Sequence, residues 1–267
     1  MGGRLRTKGR VIRKINFFNR TLWQIISTLV INSYYLAPIG KYIPIPVLNC
    51  YSCPLANFAC PIGTLQHFIV IREFPFLLIG ILILGGVLLG RYFCGWICPF
   101  GFFQDLLYKI PSKKIVISNK FAFVRWIILI VLVILVPYFT LEPWFCKLCP
   151  AGTLEAGIPQ ILLNASLRSL VGTLFAFKVF LLLLLILSSI FISRPFCRFI
   201  CPLGTILSIF NKISFYHLEI KPTCPKCGLC KSKCPINIEV YKTPNSPDCI
   251  RCLECRDCGK VDWKFKS

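Results

Sequence analysis

The chain has 267 residues, of which 56% are hydrophobic and 15% charged, and its mean hydropathy is +0.71. Soluble domains carry about 25% charged residues, so this composition excludes an ordinary soluble domain and indicates a membrane protein. The formal net charge of +21 does not indicate nucleic-acid binding, because the basic residues are concentrated in segments between apolar stretches, as orientation in a membrane requires.

Four apolar stretches predict membrane-spanning helices, since a bilayer core of about 30 Å takes roughly 20 helical residues. In chain order they are residues 21–40, 74–90, 121–141 and 170–193. Basic residues are frequent before the first stretch, between the second and third, and after the fourth, whereas the other two loops carry few. By the positive-inside rule, this pattern predicts a multi-pass protein of the cell inner membrane with both termini in the cytoplasm.

The membrane region contains an internal repeat. Each copy has four parts. An apolar stretch is followed by a Cys-Pro-x-Gly-Thr-Leu element, and a second apolar stretch is followed by an Arg-x-Phe-Cys-x2-Ile-Cys-Pro-x-Gly element. The two elements begin at Cys60 and Arg91 in the first copy and at Cys149 and Arg194 in the second. An even number of spans gives both copies the same orientation, so equivalent elements are expected to meet across an axis along the membrane normal.

Four cysteines at the cytoplasmic ends of the spans form the predicted inner set. They are Cys94 and Cys98 of the first copy and Cys197 and Cys201 of the second. Residues four apart share a helix face, so each pair can direct both sulfurs toward the axis, and four thiolates suffice for one iron–sulfur site. The alternatives are free, buried cysteines that behave as small hydrophobes, or catalytic thiols.

Five cysteines are predicted at the outer face. They are Cys50, Cys53 and Cys60 of the first copy and Cys146 and Cys149 of the second, one more than a four-thiolate cluster needs. Facing an oxidising compartment, they could hold a cluster or exchange disulfides. Electron transfer between the outer and inner cysteines across a bilayer core of about 30 Å is expected to need re-entrant Cys-Pro segments or a bridging quinone.

Ionisable residues near the outer face are candidate proton acceptors for a quinol, because charges at membrane depth are commonly functional. These candidates are His67, Glu73, Glu142 and Glu155. The alternative interpretation is that they are interfacial residues that reach toward water.

The C-terminal region opens with a cysteine run, Cys224, Cys227, Cys230 and Cys234, followed by Pro235. Its spacing, C-x2-C-x2-C-x3-C-P, is that of bacterial ferredoxins, in which the fourth cysteine binds the other cluster of a two-cluster domain. A structural zinc site is the alternative, but zinc ribbons pair two C-x2-C knuckles without this order. On the reducing cytoplasmic side, clustered cysteines bind metals more often than they form disulfides.

A second run predicts a second cluster. It consists of Cys249, Cys252, Cys255 and Cys258. Its last spacing is two residues instead of three and Gly259 replaces the expected proline, so a degenerate second cluster is the alternative. The ferredoxin pattern pairs Cys224, Cys227 and Cys230 with Cys258, called here the first head set. It pairs Cys249, Cys252 and Cys255 with Cys234, called here the second head set.

Taken together, these elements resemble the NapH/MauN family, membrane ferredoxin-type subunits known as quinol dehydrogenases of periplasmic nitrate reductase systems, with relatives in methylamine utilisation. The resemblance covers residues 15–260 and rests on Arg91 to Pro99, on Arg194 to Gly204 and on the two C-terminal cysteine runs. It implies that electrons pass between the membrane quinone pool and a partner enzyme. The outer cysteine elements and the unusual second run depart from the family pattern.

The predicted fold is an all-α polytopic membrane protein with four transmembrane helices in two tandem helical-hairpin repeats, followed by a small α+β two-cluster bacterial ferredoxin domain. The predicted domains are a basic tail, the two hairpins and the ferredoxin domain, at residues 1–20, 21–110, 111–213 and 214–267.

The predicted function is membrane-bound iron–sulfur electron transfer between the quinone pool and a partner redox subunit. No nucleotide or flavin fingerprint occurs, so the chain is expected to be an electron carrier, or a quinol dehydrogenase subunit of a larger complex, and not a self-contained enzyme. The expected cofactors are two [4Fe-4S] clusters, with one or two more in the membrane region, and quinone as substrate; the expected partners include membrane lipid but no nucleic acid. The alternatives are an assembly or metal/disulfide-reducing factor, or a non-catalytic redox membrane anchor or regulator.

Overall fold

The computed structural model describes residues 20–36, 40–169 and 171–265. The predicted basic tail therefore lies outside the described residues, except for Arg20. As predicted, the chain is mostly helical.

Within the described residues, the membrane region contains twelve helices, α1 to α12. They are α1 (20–31), α2 (Pro61–Val70), α3 (Phe76–Leu89), α4 (Tyr92–Trp96), α5 (Pro99–Tyr108), α6 (Phe121–Thr140), α7 (Trp144–Leu148), α8 (150–163), α9 (Ala165–Arg168), α10 (Thr173–Phe191), α11 (Pro195–Phe199) and α12 (Pro202–Phe210). A short 3-10 turn at Tyr34–Leu36 precedes the re-entrant segment, and another at Asn119–Phe123 forms the start of α6.

Among the described residues, α6 and α10 are long and apolar enough to cross a membrane. Their mean hydropathies are 2.5 and 2.6, and only 22% and 17% of their most apolar windows are buried. A core helix of a soluble protein would be mostly buried, so these outward-facing apolar surfaces favour a membrane protein. The apolar α3 is shorter, with 14 residues, and α1 is partly polar. The four-span arrangement therefore stays a prediction.

Two helices contain a stretch of wider, π-helical hydrogen bonding before a proline. In α6 a π-helical stretch, Ile128–Leu135, precedes Pro137, and in α8 a π-helical turn, Thr153–Gly157, precedes Pro159. Proline has no N–H to donate and its ring clashes with the carbonyl four residues earlier, which favours the wider hydrogen-bonding turn.

The four Cys-Pro-x-Gly elements of the repeat adopt the same local structure. The cysteine before each proline has an extended backbone and precedes a helix whose first residue is the proline. Proline suits this position because its fixed φ matches the helix and its missing N–H would have no partner there. These cysteines are Cys60, Cys98, Cys149 and Cys201. Each sulfur is thereby held at the start of a helix.

The segment 41–60 returns into the helical region instead of lying on its outer surface. Val47 and Leu48 are 1% and 3% exposed and belong to the same core cluster as Cys98 and Phe100. At Gly85 in α3, a Cβ would lie 3.4 Å from Cγ of Pro46. The residues that lead to Cys50 therefore approach the inner cysteines.

The C-terminal head combines two short strands with short helical segments. Strands β1 (Tyr216–Ile220) and β2 (Val261–Phe265) pair antiparallel, with Tyr216 opposite Phe265 and Ile220 opposite Val261. Helix α13 (Leu229–Lys233) and a 3-10 turn (Glu254–Cys258) complete the head.

The head is docked on the inner end of the membrane region. The Arg251 guanidinium, 1% exposed, donates to the carbonyls of Leu89 and Asn211, each at 2.8 Å. The indole Nε1 of Trp96 donates to the Arg251 carbonyl at 3.0 Å. A buried arginine that satisfies several backbone carbonyls makes this interface specific, because removing it would leave buried acceptors without partners.

Gly95 provides a test of this docking. A Cβ there would lie 2.3 Å from the Ile250 carbonyl oxygen, so Gly95→Ala should separate the head from α4 and cost about 1–3 kcal/mol. We expect a lower melting temperature and faster proteolysis of the head in detergent-solubilised protein. Gly80→Ala is the matched control, since nothing lies within 4 Å of its Cβ position. Equal effects of the two substitutions would show that Gly95 does not limit docking.

Candidate functional site

The four cysteines of the first head set surround one cavity. Its volume is about 110 Å³, and Cys224, Cys227, Cys230 and Cys258 all line it. Gly228 has a left-handed backbone, with φ +75°, which glycine adopts without steric cost and which lets the chain turn between Cys227 and Cys230. The structure thus brings together cysteines from the two separate runs.

The second head set packs against isoleucines beside the membrane region. Cys234, Cys249 and Cys252 belong to one cluster with Ile236, Ile238 and Ile250, and Cys255 contacts the neighbouring cluster that includes Cys230 and Cys249. Burial raises the pKa of the Cys249 thiol to about 11, although a hydrogen bond from the Arg251 amide opposes the rise. That amide lies 3.4 Å from Sγ of Cys249. Amide donors of this kind stabilise thiolates and tune iron–sulfur centres.

The inner cysteines converge as the repeat predicts. Each is between 5% and 7% exposed. Burial raises the pKa of the Cys201 thiol well above its usual value, and the other three thiols lie close enough to raise it further. Two donors face the sulfurs: Nε2 of Gln104 at 3.2 Å from Sγ of Cys197, and the Gly204 amide at 3.3 Å from Sγ of Cys201.

Two buried arginines, one from each copy, donate hydrogen bonds to cysteine carbonyls of the other copy in the inner set. Nη2 of Arg91 donates to the Cys197 carbonyl at 3.0 Å, and Nη1 of Arg194 donates to the Cys94 carbonyl. Both arginines stand three residues before the first cysteine of their motif, and each reaches the other copy. Sequence analysis did not assign them a role, although their shared position in the repeat was a usable signal.

Asp105 pairs with two of the buried arginines. Its carboxylate accepts from Nε of Arg194 and from Nη2 of Arg20, both at 2.6 Å. Burial alone would raise the pKa of Asp105, but the guanidinium groups of Arg194 and Arg20 outweigh it and hold the pKa below its usual value.

Four of the five predicted outer cysteines line a second cavity, of about 240 Å³. These four, called here the outer set, are Cys50, Cys60, Cys146 and Cys149. Cys53 does not line it: it is 4% exposed and packs with Ala56 and Ala156. In the two Cys-Pro-x-Gly-Thr-Leu elements, which begin at Cys60 and Cys149, the glycine faces a sulfur of the other copy. A Cβ at Gly63 would lie 3.6 Å from Sγ of Cys146, and a Cβ at Gly152 would lie 3.5 Å from Sγ of Cys50.

An unpartnered amide indicates that this cavity is built for an occupant. Asn49 lines the cavity and is 1% exposed, and neither Nδ2 nor Oδ1 has a hydrogen-bond partner among the described residues. Buried polar atoms almost always have partners. Four thiols and one free amide fit an iron–sulfur cluster, whose sulfurs accept hydrogen bonds. Sequence analysis missed Asn49, and only its position before Cys50 could have suggested it.

The four ionisable outer residues are not brought together. His67, Glu73 and Glu142 are exposed, and Glu142 pairs with Lys147 at 2.7 Å. Glu155 alone lies beside the outer set, where it accepts from the Cys50 amide at 2.7 Å. Burial raises the pKa of Glu155 to about 7. A role for these residues as quinol proton acceptors stays a prediction.

The inner and outer sets are much closer than the expected bilayer thickness. The Cys98 thiol lies 3.8 Å from the Leu48 carbonyl oxygen, and Leu48 lines the outer cavity. The re-entrant segment 41–60 causes this approach, which corresponds to the re-entrant alternative that the sequence leaves open for connecting the two sets.

The inner set also adjoins the head. Asn211 joins the two, because its Oδ1 accepts from the Arg91 amide at 2.9 Å and its Nδ2 donates to the Cys249 carbonyl at 2.7 Å. The four sets therefore form a continuous series from the head to the outer cavity.

Two of the donor sets have the arrangement that a cluster requires. In a cubane each of the four thiolates binds a different iron, so the sulfurs stand around the cluster. The first head set and the outer set each surround a cavity and match that requirement.

Comparison with known proteins identifies the family. Residues 71–118, 123–162 and 174–219 match the family model described as a 4Fe-4S binding domain, and these segments contain the inner set together with Cys146 and Cys149. The chain belongs to this family of membrane ferredoxin-type proteins related to NapH. It is a membrane-bound iron–sulfur protein that functions in electron transfer.

Similar proteins come from diverse organisms. An uncharacterised protein of Methanocaldococcus jannaschii is 34% identical over 186 residues, covering 66% of this chain and 71% of that protein. Protein NirI of Paracoccus denitrificans is 28% identical over 70% of this chain, which spans only 28% of NirI. Ferredoxin-type protein NapH of Haemophilus influenzae is 24% identical over 94% of this chain and 91% of its own. No solved structure matches the chain.

Asp105→Asn should destabilise the protein strongly, because it leaves the buried guanidinium groups of Arg194 and Arg20 with less countercharge. Breaking a buried pair costs about 3–5 kcal/mol, which thermal unfolding of the solubilised protein would detect. The difference from the unmodified protein should be present above the usual carboxyl pKa of 3.8 and shrink as pH falls toward the lowered pKa of the folded state.

Asp262→Asn is the matched control for Asp105. Asp262 pairs with Lys221 at 3.3 Å, but both side chains are partly exposed, so its loss should cost less than about 1 kcal/mol. Similar losses for the two variants would contradict a special role for the buried network.

Proposed function

We propose that each of the four cysteine sets holds one [4Fe-4S] cluster and that the protein conducts electrons between the quinone pool and a partner redox subunit. The first and second head sets would form a ferredoxin domain (214–267), and the inner and outer sets would lie in the two hairpins (21–110 and 111–213). The proposal also includes four spans across the inner membrane of the cell, with both termini of the chain in the cytoplasm.

The observation that carries the proposal is the contact between Cys98 and Leu48. Without it, a path from the head would end at the inner set. With Sγ of Cys98 3.8 Å from the Leu48 carbonyl, and Leu48 in the wall of the outer cavity, the path continues into the membrane region. Continuity of the sets supports stepwise electron transfer more than a purely structural role for the cysteines.

The chain's own groups would set the properties of this path. When bound, each cluster supplies a one-electron redox centre, so a two-electron donor such as a quinol would be oxidised in single steps. Gln104 and Gly204 donate to sulfurs of the inner set, and the Arg251 amide donates to Cys249. Burial of the inner cysteines excludes water, which together with these hydrogen bonds tunes the reduction potential.

Support for quinone and for a redox partner comes from the family. The match to ferredoxin-type NapH extends over 94% of the chain, and the lipid-facing surfaces of α6 and α10 keep the inner and outer sets within reach of a lipid-soluble electron donor. The basic loops would orient the head toward the cytoplasm.

Iron and acid-labile sulfide per chain, measured on anaerobically purified protein, test the proposal. Four cubane sets predict about sixteen irons. Cys50→Ser should remove about four of them, whereas Cys53→Ser should remove none, because Cys53 lies outside the outer cavity. The two residues come from the same loop, so the pair separates ligation from general damage.

About eight irons, with none lost on Cys50→Ser, would contradict membrane clusters and confine iron to the head. A Cys50 that reacts with thiol reagents in that iron-poor protein would then favour the disulfide- or metal-reducing alternative. Loss of iron on Cys53→Ser equal to that on Cys50→Ser would contradict the proposed ligand set.

A further inference from the structure

Arg91 and Arg194, which donate hydrogen bonds to cysteine carbonyls of the inner set, differ in whether a carboxylate neutralises their charge. Arg194 forms a two-point pair with the Asp105 carboxylate. Arg91 is 1% exposed and donates to the carbonyls of Cys197, Pro247 and Asp248, at 3.0, 3.0 and 3.2 Å. Within the described part of the chain it forms no ion pair, and its Nε has no partner. Arg91 therefore contributes a buried positive charge without a carboxylate.

A difference between the two copies of the repeat accounts for the missing carboxylate. Ser208 stands in the second copy at the position that Asp105 occupies in the first. The glycines one turn earlier correspond: a Cβ at Gly101 would lie 3.2 Å from Nη1 of Arg194, and one at Gly204 would lie 3.0 Å from Nη2 of Arg91. Ser208 is fully buried and its hydroxyl donates to its own helix, at the Thr205 carbonyl.

Arg91 lies between two cysteine sets. On one side it binds the carbonyl of Cys197 in the inner set, and on the other the two carbonyls that immediately precede Cys249 in the second head set.

The other charged groups at this junction do not neutralise Arg91. Asp248 presents its carboxylate to Arg125 at 2.9 Å. Arg251 binds the carbonyls of Leu89, Tyr216 and Asn211 and the Ser214 hydroxyl. The junction thus keeps an excess of positive charge.

We infer that Arg91 is an electrostatic residue of the electron path, whose uncompensated charge raises the reduction potentials of the two clusters that it separates. The inference rests on the proposed function. Reduction adds one electron to a cluster and changes no bond, so a fixed positive charge in a poorly screened interior stabilises the reduced form. The clusters at the junction between the head and the membrane region would then be reduced in preference to the cluster of the outer set.

Redox titration of the full-length protein, followed by electron paramagnetic resonance, tests the inference. Arg91→Gln should shift the potentials of two clusters to more negative values and leave the other two unchanged. Arg91→Lys, which keeps the charge, should restore values close to those of the unmodified protein. Ser208→Asp should give a negative shift with Arg91 still in place, and Ser208→Asn controls for the added side-chain volume.

Unchanged potentials in an Arg91→Gln protein with full iron content would overturn the inference. So would an equal shift in Arg91→Lys, since geometry and not charge would then be responsible. If Arg91→Gln loses iron or fails to fold, the reduction potentials of Ser208→Asp and Ser208→Asn are compared instead. Equal potentials in these two variants would overturn the inference. If the inner set holds no iron, the membrane part of the proposed function fails, and the potential of the second head cluster still decides the role of Arg91.

Discussion

The structure depends on the reciprocal bonds that Arg91 and Arg194 make to the cysteine carbonyls of the opposite copy. Burying a guanidinium is costly unless its donors are satisfied. Here the Cys94 and Cys197 carbonyls, the Asp105 carboxylate and two head carbonyls accept from every guanidinium nitrogen of the pair except Nε of Arg91. The same bonds place Cys94 and Cys197 beside each other, and through the carbonyls of Pro247 and Asp248 they position the head. Assembly of the inner cysteines and docking of the head are therefore one event.

A second constraint follows from the re-entrant segment 41–60. It carries Leu48 and Asn49 to the centre of the helical region, where a loop can be tolerated only if its polar groups are satisfied or line a cavity. Asn49 meets this condition by lining the outer cavity, where its amide has no hydrogen-bond partner among the described residues and could bind an occupant. The segment brings the outer set next to Cys98, and it turns two separated groups of thiols into a continuous series.

The net charge of +21 has two physical roles. In the loops it is expected to orient the chain in the membrane, but several arginines are buried where the head meets the membrane region, among them Arg91 and Arg251 at 1% exposure. Buried charges are normally paired, and these two bind carbonyls instead of carboxylates. Clusters held by thiolates carry negative charge, so under the proposed function such arginines would serve as their countercharges.

The sequence by itself determined the family, the membrane character and the mostly helical architecture, because composition, apolar length and cysteine spacing are local properties. It also indicated which cysteines meet in the head and at the inner end, since ferredoxin spacing and repeat symmetry relate distant positions. Tertiary structure alone decided that Cys53 is excluded from the outer cavity, that Glu155 is the one of the four candidate proton acceptors that lies beside the outer set, and that the inner and outer sets adjoin. These depend on the path of a loop through the core, which no local pattern encodes.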